Sequence, residues 1–246
     1  MNNNTTAVIL AGGVGTRFHP YTEVVPKPMI PIGVDEKPVL EYILRWLNRF
    51  GVNKFIFLVN YRWKYIRNYF GDGSRFNVRI EYSIDDPEGY TNTGGSMLKA
   101  FREGLFKGDV IVWYGDILAP LNVEDLLRYH LEKQGDLTLV VTRKYKVSVG
   151  VATLSEDNLI VDMVEKPELN LNATVGIGVL KSELFSEDLE KILGLDFDFM
   201  GDFVPWLIKS GRRVLGYIYE GDWFDVGSLE RYKKLDNHHL SRLFEI

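Results

Sequence analysis

The sequence predicts an α/β fold with a mixed, mostly parallel central sheet flanked by helices. Apolar runs of strand length alternate with runs whose apolar residues recur at helical spacing, the pattern of a sheet covered on both faces. A chain of 246 residues, 46% of them hydrophobic, can bury one large core, so residues 1–246 are expected to form a single domain. A glycine-rich run also follows the first apolar strand, where open α/β sheets bind ligands.

The first half of the chain contains the clearest alternation. Its strands are apolar and four to six residues long, and its helices show the i, i+3, i+4 spacing of one buried face. Gly51 follows the first helical run and ends it. The predicted elements are a strand at Thr6–Leu10, a helix at 38–50, a strand at Lys54–Val59, a helix around 97–105, a strand at 110–113 and a helix at 123–131.

Beyond residue 137 the pattern changes to consecutive strands separated by turns. This change predicts a smaller lobe within the same domain rather than a second domain, because no linker or low-complexity segment intervenes. The predicted strands lie at 137–141, 149–153, 159–164 and 175–180, and a helix begins near Ser228.

Composition excludes several classes of function. A net charge of −5 argues against a nucleic-acid partner. The absence of cysteine excludes disulfides, thiolate metal sites and a cysteine nucleophile. No segment approaches the roughly 18 apolar residues of a membrane span, and the first residues lack a basic and apolar leader. We therefore expect no membrane partner and a cytoplasmic location.

Residues 10–17 (LAGGVGTR) form the most informative motif. Three glycines within four positions let the backbone turn sharply and bring N–H groups close to an anion. The run is not a Walker A loop, which needs Lys before Ser or Thr, and Phe18 stands where a dinucleotide fingerprint needs its third glycine. Arg17 and Lys27 add two cations, and Lys27 lies between two prolines that predict an extended backbone. The combination is typical of a polyphosphate site.

Four motifs in this order resemble the sugar-1-phosphate nucleotidyltransferases, also called nucleotide-sugar pyrophosphorylases. They are residues 7–32 (AVILAGGVGTRFHPYTEVVPKPMIPI), 114–116 (YGD), 164–167 (VEKP) and 223–227 (WFDVG). The resemblance spans nearly the whole chain and implies a Rossmann-like nucleotidyltransferase fold. It implies a mainly nucleotide-binding half at 1–136, and a half at 137–246 that holds the sugar and the second metal ligand. Because the chain ends soon after the helix near Ser228, we expect a minimal form without the C-terminal β-helix of some relatives.

The resemblance implies transfer of a nucleotidyl group from a nucleoside triphosphate to a hexose 1-phosphate, which gives a nucleotide sugar and pyrophosphate. Arg17 is expected to hold the β- and γ-phosphates because its planar fork of donors suits bidentate contacts, and Lys27 to hold the α-phosphate. Asp116 and Asp225 are expected to bind Mg²⁺ jointly, as hard oxygen ligands do. Trp223 is expected to pack beneath Asp225. Relatives are commonly dimers or tetramers, so a homo-oligomer is also expected.

Two further sets of binding residues follow from the resemblance. The nucleotide-binding set is Leu10, Ala11, Gly12, Gly13, Gly15, Thr16, Asn92, Thr93 and Gly95. The sugar-phosphate-binding set is Gly150, Glu165, Lys166, Val175 and Gly176. The segment 86–95 corresponds to the part of relatives that contacts the base, and Asn92 there replaces a glycine of the guanylyltransferases.

The sequence leaves the substrates and two other functions open. Thymidylyl-, uridylyl- or cytidylyltransferases acting on glucose 1-phosphate and a guanylyltransferase acting on mannose 1-phosphate all fit the motifs. Asp196 and Asp198 could instead form the Asp-x-Asp site of a nucleotide-sugar glycosyltransferase. A non-catalytic sugar-nucleotide-binding regulatory subunit is the remaining alternative, although retention of all four expected catalytic charges argues against it.

Overall fold

The structure is a computed structural model that describes residues 5–85, 89–147, 149–186 and 188–245. Its strands are β1 (Thr6–Leu10), β2 (Pro31–Ile32), β3 (Lys37–Pro38), β4 (Lys54–Val59), β5 (Arg79–Ile84), β6 (Asp109–Tyr114), β7 (Ile117–Leu118), β8 (Leu137–Lys146), β9 (Val151–Leu154), β10 (Ile160–Val164), β11 (Glu168–Lys181), β12 (Val214–Ile218) and β13 (Phe224–Asp225).

Its helices are α1 (Val39–Arg49), α2 (Trp63–Phe70), α3 (Asn92–Arg102), α4 (Val123–Glu132), α5 (Leu189–Leu193), α6 (Val204–Lys209), α7 (Leu229–Tyr232) and α8 (Asn237–Phe244). A π-helical turn at Phe199–Phe203 leads into α6. Short 3₁₀ turns lie at Thr16–Phe18, Tyr21–Glu23, Lys27–Met29, Ser74–Phe76 and Ser182–Leu184. Among the described residues, no helix combines the length and the apolar character needed to cross a membrane.

A seven-stranded sheet in the order β12-β8-β11-β6-β1-β4-β5 forms the centre of the molecule. Strands β6, β1, β4 and β5 are parallel neighbours, β11 runs antiparallel to both β6 and β8, and β12 is parallel to β8. The sheet is therefore mixed and mostly parallel, as predicted. Strands from both halves of the chain belong to it, because β8, β11 and β12 extend the same sheet beyond β6.

Alternating side chains along each strand divide the core between the two faces of the sheet. In β1, Ala7 and Ile9 pack on one face and Val8 on the other, and all three are fully buried. Helix α1 covers the first face and α3 the second. Because both faces of β1 are covered, all of its central residues are apolar rather than alternating between apolar and polar.

Several helices and strands have limits that differ from those predicted from the sequence. Strands β1 and β4 have their predicted limits, α1 is one residue shorter at each end than predicted, and α4 is one residue longer at its C-terminal end. The helix predicted around 97–105 ends at Arg102, because Gly104 adopts a positive φ of 70° and turns the chain. The segment predicted at 175–180 is the end of the 14-residue strand β11. The helix expected near Ser228 is two short helices, α7 and α8.

Strands β9 and β10 pair only with each other, as an antiparallel hairpin separate from the main sheet. All residues of both strands are exposed. Their sequences had predicted further strands of the lobe but not this separation. The hairpin lies between β8 and β11 in the chain, so it extends outward from the two longest strands.

Candidate active site

The carboxyl ends of four parallel strands meet at one edge of the sheet. Leu10 pairs with Leu58 of β4 and with Tyr114 of β6, and Val59 of β4 pairs with Ile84 of β5. The residues that follow these strands enclose a cavity of about 390 Å³, here called the strand-end cavity. Its lining is Leu10, Ala11, Gly12, Gly13, Val14, Arg17, Lys27, Pro28, Leu58, Asn60, Asp85, Asn92, Thr93, Ser96, Tyr114, Gly115 and Asp116.

The glycine-rich loop owes its path to close approaches that larger residues would prevent. A β-carbon added at Gly12 would lie 3.2 Å from the backbone nitrogen of Asn60. Gly15 has a left-handed φ of 71°, and a β-carbon there would lie 3.1 Å from the Lys27 β-carbon. Thr22 Oγ1 donates to the Gly15 carbonyl over 3.0 Å and closes the loop. Gly15 therefore brings the Lys27 segment against the loop rather than lining the cavity itself.

Two cations flank this loop. Arg17 lies in the exposed 3₁₀ turn that begins after Gly15. Lys27 is 17% exposed, and its Nζ donates to Asp116 Oδ2 over 2.5 Å. The sequence predicted an extended backbone around Lys27, and this prediction is correct only for Pro26, which has a ψ of 142°. Lys27 itself begins a 3₁₀ turn that directs the chain into the core at Met29.

Asp116 and Asp225 are brought together by strand pairing. Strands β7 and β13 form an antiparallel pair in which Asp225 lies opposite Ile117, and the Val226 N–H donates to the Asp116 carbonyl over 2.8 Å. A β-carbon added at Gly227 would collide with Asp225 Oδ1 and lie 3.4 Å from Asp116 Oδ2. The two carboxylates therefore meet around the α-carbon of Gly227.

Arg17 joins the same cluster. Its Nη2 would lie 3.1 Å from a β-carbon at Gly227. Asp225 also forms an ion pair with Arg231, and its Oδ1 accepts the Gly227 N–H over 2.6 Å. Guanidinium, ammonium and two carboxylates from four separate parts of the chain thus share one small region. The structure brings together all four residues that the motifs singled out as catalytic or metal-binding.

The donor set at Asp116 and Asp225 suits Mg²⁺. This ion takes one or two carboxylates, keeps several waters and takes further ligands from substrate phosphates. Among the residues that the structure describes, no cluster of three or more acidic or histidine side chains could hold a metal. A pair of carboxylates beside an open cavity fits an ion completed by substrate better than one fully enclosed by protein.

A second cavity, of about 400 Å³, lies beside Asp225 and is here called the Trp223 cavity. Its lining is Thr142, Tyr145, Glu168, Glu220, Gly221, Asp222, Trp223, Phe224, Asp225, Arg231, Lys234 and Leu235. Trp223 is half-buried there, with its ring against the core as expected but also part of the cavity wall. Asp116 lines the first cavity and Asp225 the second, so the two cavities meet at the aspartate pair.

The N-terminal end of α3 forms one wall of the strand-end cavity. Asn92 has a left-handed φ of 62°, and its Oδ1 accepts the Thr93 N–H over 2.9 Å. The Gly94 and Gly95 N–H groups both donate to the Phe197 carbonyl, at 2.9 and 3.2 Å. Because these donors are occupied, the helix end has little capacity left for a phosphate. Gly95 itself packs against the Leu195 carbonyl and does not line the cavity.

Three polar residues of the cavity were not identified from the sequence: Asn60, Asp85 and Ser96. Tyr114 belongs to the motif at 114–116, but the sequence assigned it no role. Asn60 and Asp85 directly follow β4 and β5, at the strand ends where open α/β sheets bind ligands, so their position was a signal available in the sequence. The pKa of the Asp85 carboxyl is raised, because burial outweighs the hydrogen bonds from Ser96 and Asn60. Burial also raises the pKa of the Tyr114 phenol.

The residues expected to bind the sugar phosphate are not in one place. Val175 is buried in the core, and a β-carbon at Gly176 would lie 3.2 Å from the Tyr114 ring, so Gly176 makes room for Tyr114. Gly150 and Glu165 approach each other at the base of the β9–β10 hairpin. Lys166 is 58% exposed and lies 3.5 Å from Glu165. None of the five lines either cavity.

Lys166 is nevertheless close to α7, which borders the Trp223 cavity. The pKa of Glu230 is lowered, first by the hydrogen bond from Lys234 and to a smaller extent by the positive charge of Lys166. Lys234 itself lines that cavity. The hairpin base and the Trp223 cavity are therefore neighbouring parts of one surface.

The Asp-x-Asp pair has a structural role. Asp196 forms an isolated bridge with Thr91, and Asp198 accepts from Thr93 Oγ1 over 2.7 Å and from the Gly201 N–H over 2.6 Å. Neither follows a strand of the central sheet, where a glycosyltransferase would carry this motif. Of the segment expected to contact the base, residues 86–88 lie outside the described residues.

Comparisons with known proteins point to one family. A family model described as nucleotidyl transferase matches residues 6–242. The chain is 31% identical over 251 residues to a UTP–glucose-1-phosphate uridylyltransferase from Synechocystis, in a match that covers 96% of the chain and 63% of that protein. It therefore spans less than two thirds of that relative's length.

Two further relatives are matched over nearly their full length. A D-glycero-alpha-D-manno-heptose 1-phosphate guanylyltransferase from Aneurinibacillus thermoaerophilus is 30% identical, with 93% of the chain and 95% of that protein covered. The crystal structure of HddC from Yersinia pseudotuberculosis superimposes with a TM-score of 0.72 at 25% identity, over 94% of the chain and 97% of that structure.

Proposed function

This chain belongs to the nucleotidyl transferase family, and from that premise we propose that it transfers a nucleotidyl group from a nucleoside triphosphate to a hexose 1-phosphate. The products are a nucleotide sugar and pyrophosphate. One observation carries the proposal: Arg17, Lys27, Asp116 and Asp225 converge where two cavities meet. Two anionic substrates each need a binding site of their own, and their phosphate groups must meet where the two sites join. The charged residues at that point can offset the negative charge of both.

The strand-end cavity suits the nucleotide. Its glycine loop and two cations suit a triphosphate, and Leu10, Ala11 and Leu58 supply an apolar floor for a planar base. The Trp223 cavity suits the sugar phosphate. It offers the cations Arg231 and Lys234 near the junction, carboxylates that accept sugar hydroxyls, and an indole ring on which a sugar can pack.

The reaction is a substitution at the α-phosphorus. An oxygen of the sugar phosphate forms the new bond to that phosphorus, and the bond from the α-phosphorus to the bridging oxygen of the β-phosphate breaks. The electron pair of the broken bond leaves on pyrophosphate. No protein base is needed, since a phosphate monoester with a second pKa of about 6 is already largely dianionic at pH 7. Repulsion between the reactants and charge on the leaving group are the obstacles.

The residues of this chain address both obstacles. Arg17, exposed beside the loop, can hold oxygens of the β- and γ-phosphates bidentately and offset the charge that grows on pyrophosphate. Lys27, held against Asp116, directs its ammonium to the α-phosphate. Asp116 and Asp225 would hold Mg²⁺, which when bound offsets phosphate charge and aligns the two substrates. Arg231, which pairs with Asp225 and lines the Trp223 cavity, would contact the sugar phosphate.

The proposal is tested by a matrix of nucleoside triphosphates against sugar 1-phosphates, scored by pyrophosphate release. ATP, GTP, CTP, UTP and dTTP are combined with the 1-phosphates of glucose, galactose, mannose, N-acetylglucosamine and a heptose. We expect release that requires both substrates in at least one combination. Binding of nucleotide without release in every combination would contradict the proposal and indicate a regulatory subunit instead.

A further inference from the structure

Asp85 places a negative charge inside a cavity that the proposed function assigns to a polyanion. The residue directly follows β5, and its carboxylate lines the strand-end cavity. Its Oδ2 would lie 3.5 Å from a β-carbon at Gly12, so it stands beside the glycine loop. A carboxylate in this position weakens binding of phosphate unless it contacts a different, donor-rich part of the ligand.

The carboxylate is oriented by two neighbours and retains capacity for more. Ser96 Oγ donates to Oδ1 over 2.5 Å, and Asn60 Nδ2 donates to Oδ2 over 3.3 Å. An ionised carboxylate has about four acceptor sites, so each oxygen can take at least one further donor. Half-burial limits the access of water to those sites. The arrangement is therefore a pre-oriented pair of acceptors.

The position of Asp85 separates it from the phosphate end. Asp116 follows β6 and Asp85 follows β5, with β1 and β4 between them in the sheet. Three strand spacings of about 4.8 Å put these carboxylates roughly 14 Å apart along the sheet edge. With phosphates at Gly13, Arg17 and Lys27, the nucleoside extends over the apolar floor of Leu10, Ala11 and Leu58 toward Asp85.

From this geometry we propose that Asp85 is a specificity-determining residue that selects guanine as the base of the nucleoside triphosphate. Guanine presents two adjacent donors, N1–H and the N2 amino group, which match the two carboxylate oxygens. Uracil and thymine present one N–H between two carbonyls, which the carboxylate repels. Adenine and cytosine present an amino group beside an acceptor ring nitrogen. The inference rests on the proposed function, within which it names the nucleotide.

Asn60 completes this recognition. Its amide has two N–H groups, of which one donates to Asp85. The second can donate to guanine O6, the acceptor next to N1–H. The pair Asp85 and Asn60 then presents acceptor, acceptor and donor in the order that complements guanine.

The test compares GTP with ITP, which lacks only the N2 amino group. Equilibrium binding of GTP, ITP, dGTP, ATP, CTP and UTP is measured with Mg²⁺ by competition against a fluorescent guanine nucleotide and directly by calorimetry. Turnover is measured with the best sugar 1-phosphate. We expect the wild-type protein to bind GTP about tenfold to a hundredfold more tightly than ITP, as for a hydrogen bond to a charged group, and dGTP about as tightly as GTP.

Asp85→Asn provides the second comparison, with Asp72→Asn as the matched control. Asn cannot accept from two adjacent donors, so the preference for GTP over ITP should fall to within a few-fold. Asp72 is exposed, shortly precedes the same strand and lies outside the cavity, so its variant should keep the wild-type preference. Because the GTP to ITP comparison needs no substitution, it stands even if Asp85→Asn folds poorly.

Each outcome is decisive. A wild-type preference for UTP, CTP or ATP overturns the inference and leaves the proposed function intact. Equal binding of all bases with weak binding of dGTP shows that Asp85 holds the ribose diol, and also overturns it. Guanine-selective binding without pyrophosphate release supports the inference while contradicting the proposed function.

Discussion

Arg17 is the residue on which the proposed reaction depends most. It is the only cation of the glycine loop itself, and it is placed beside both aspartates at Gly227. Its side chain is exposed and therefore contributes little to the packing of the core. A substitution there should consequently report on chemistry rather than on folding.

Arg17→Ala should lower kcat at least a hundredfold, because Arg17 is assigned to charge that grows in the transition state. Pyrophosphate release measures the effect, and circular dichroism checks the fold. Arg128→Ala is the control, since Arg128 is an exposed arginine of α4 paired with Asp125. Near-normal turnover in Arg17→Ala would remove this side chain from the mechanism.

His130 has a predictable effect on stability. It is 1% exposed, and Nδ1 lies 2.8 Å from Thr138 Oγ1. Burial lowers the pKa of the imidazole below its usual 6.5, although Asp109, 3.5 Å from Nε2, acts in the opposite direction. Below pH 6.5 the unfolded chain therefore takes up a proton that the folded protein does not, so folding stability falls with decreasing pH.

His130→Gln should reduce this loss of stability. Each pKa unit between the folded and unfolded imidazole is worth about 1.4 kcal/mol of pH-dependent stability. Urea unfolding of both proteins at pH 7.5, 6.5 and 5.5 isolates the histidine, because the carboxylates are common to both. We expect the stability of the wild type relative to the variant to decrease from pH 7.5 to pH 5.5. Parallel curves would show that His130 does not titrate differently on folding.

At the scale of elements, α3 illustrates a glycine motif that serves packing. The resemblance had placed Gly95 in contact with nucleotide, and that role stays a prediction. In the structure, Gly94 lies against the Phe197 ring and Gly95 against the Leu195 carbonyl, so the helix start contacts a neighbouring segment closely. Close packing alone accounts for both glycines here.

Gly95→Ala should destabilise the fold by about 1–3 kcal/mol, because its methyl group would overlap the Leu195 carbonyl and push α3 away. Thermal or urea unfolding measures the change. Gly216→Ala in β12 is the control, since its methyl would lie 3.4 Å from Val141 Cγ2, an ordinary contact. Equal stability of the Gly95→Ala and wild-type proteins would show that the segment at Leu195 can move without cost.

At the scale of the whole molecule, the site depends on contact between distant parts of the chain. Strand β7 supplies Asp116 through the preceding turn, and β13 supplies Asp225 from near the C-terminus. The two carboxylates meet only because these short strands pair. Binding of a dication by both should therefore stabilise the contact between the two halves.

Removal of Mg²⁺ by a chelator should abolish pyrophosphate release, and added Mg²⁺ should restore it. Nucleotide with Mg²⁺ should raise the Tm of the wild type, and Asp225→Asn should lose most of that rise. Asp35→Asn, at an exposed surface aspartate, should keep it. Full activity in excess chelator would contradict the two-aspartate site.

Most of the architecture was predictable because its signals are local. The alternation of apolar runs indicated the strands β1 and β4 and the helix α1, and glycine spacing indicated the loop at 12–15. The motif residues Arg17, Lys27, Asp116 and Asp225 were also identified before the fold was known. Asp85 and Asn60 were missed although they follow strand ends as Asp116 does, because single polar residues after strands are common in turns.

The sequence by itself determined the α/β class, the family resemblance and the four charged residues, since each depends on residue types at short spacing. Only the tertiary structure decided that β9 and β10 leave the sheet, that Gly95 and Gly176 make room for neighbours, and that Asp85 faces the cavity. Those outcomes depend on contacts between residues far apart in the chain, whose geometry arises from packing and strand pairing rather than from local pattern.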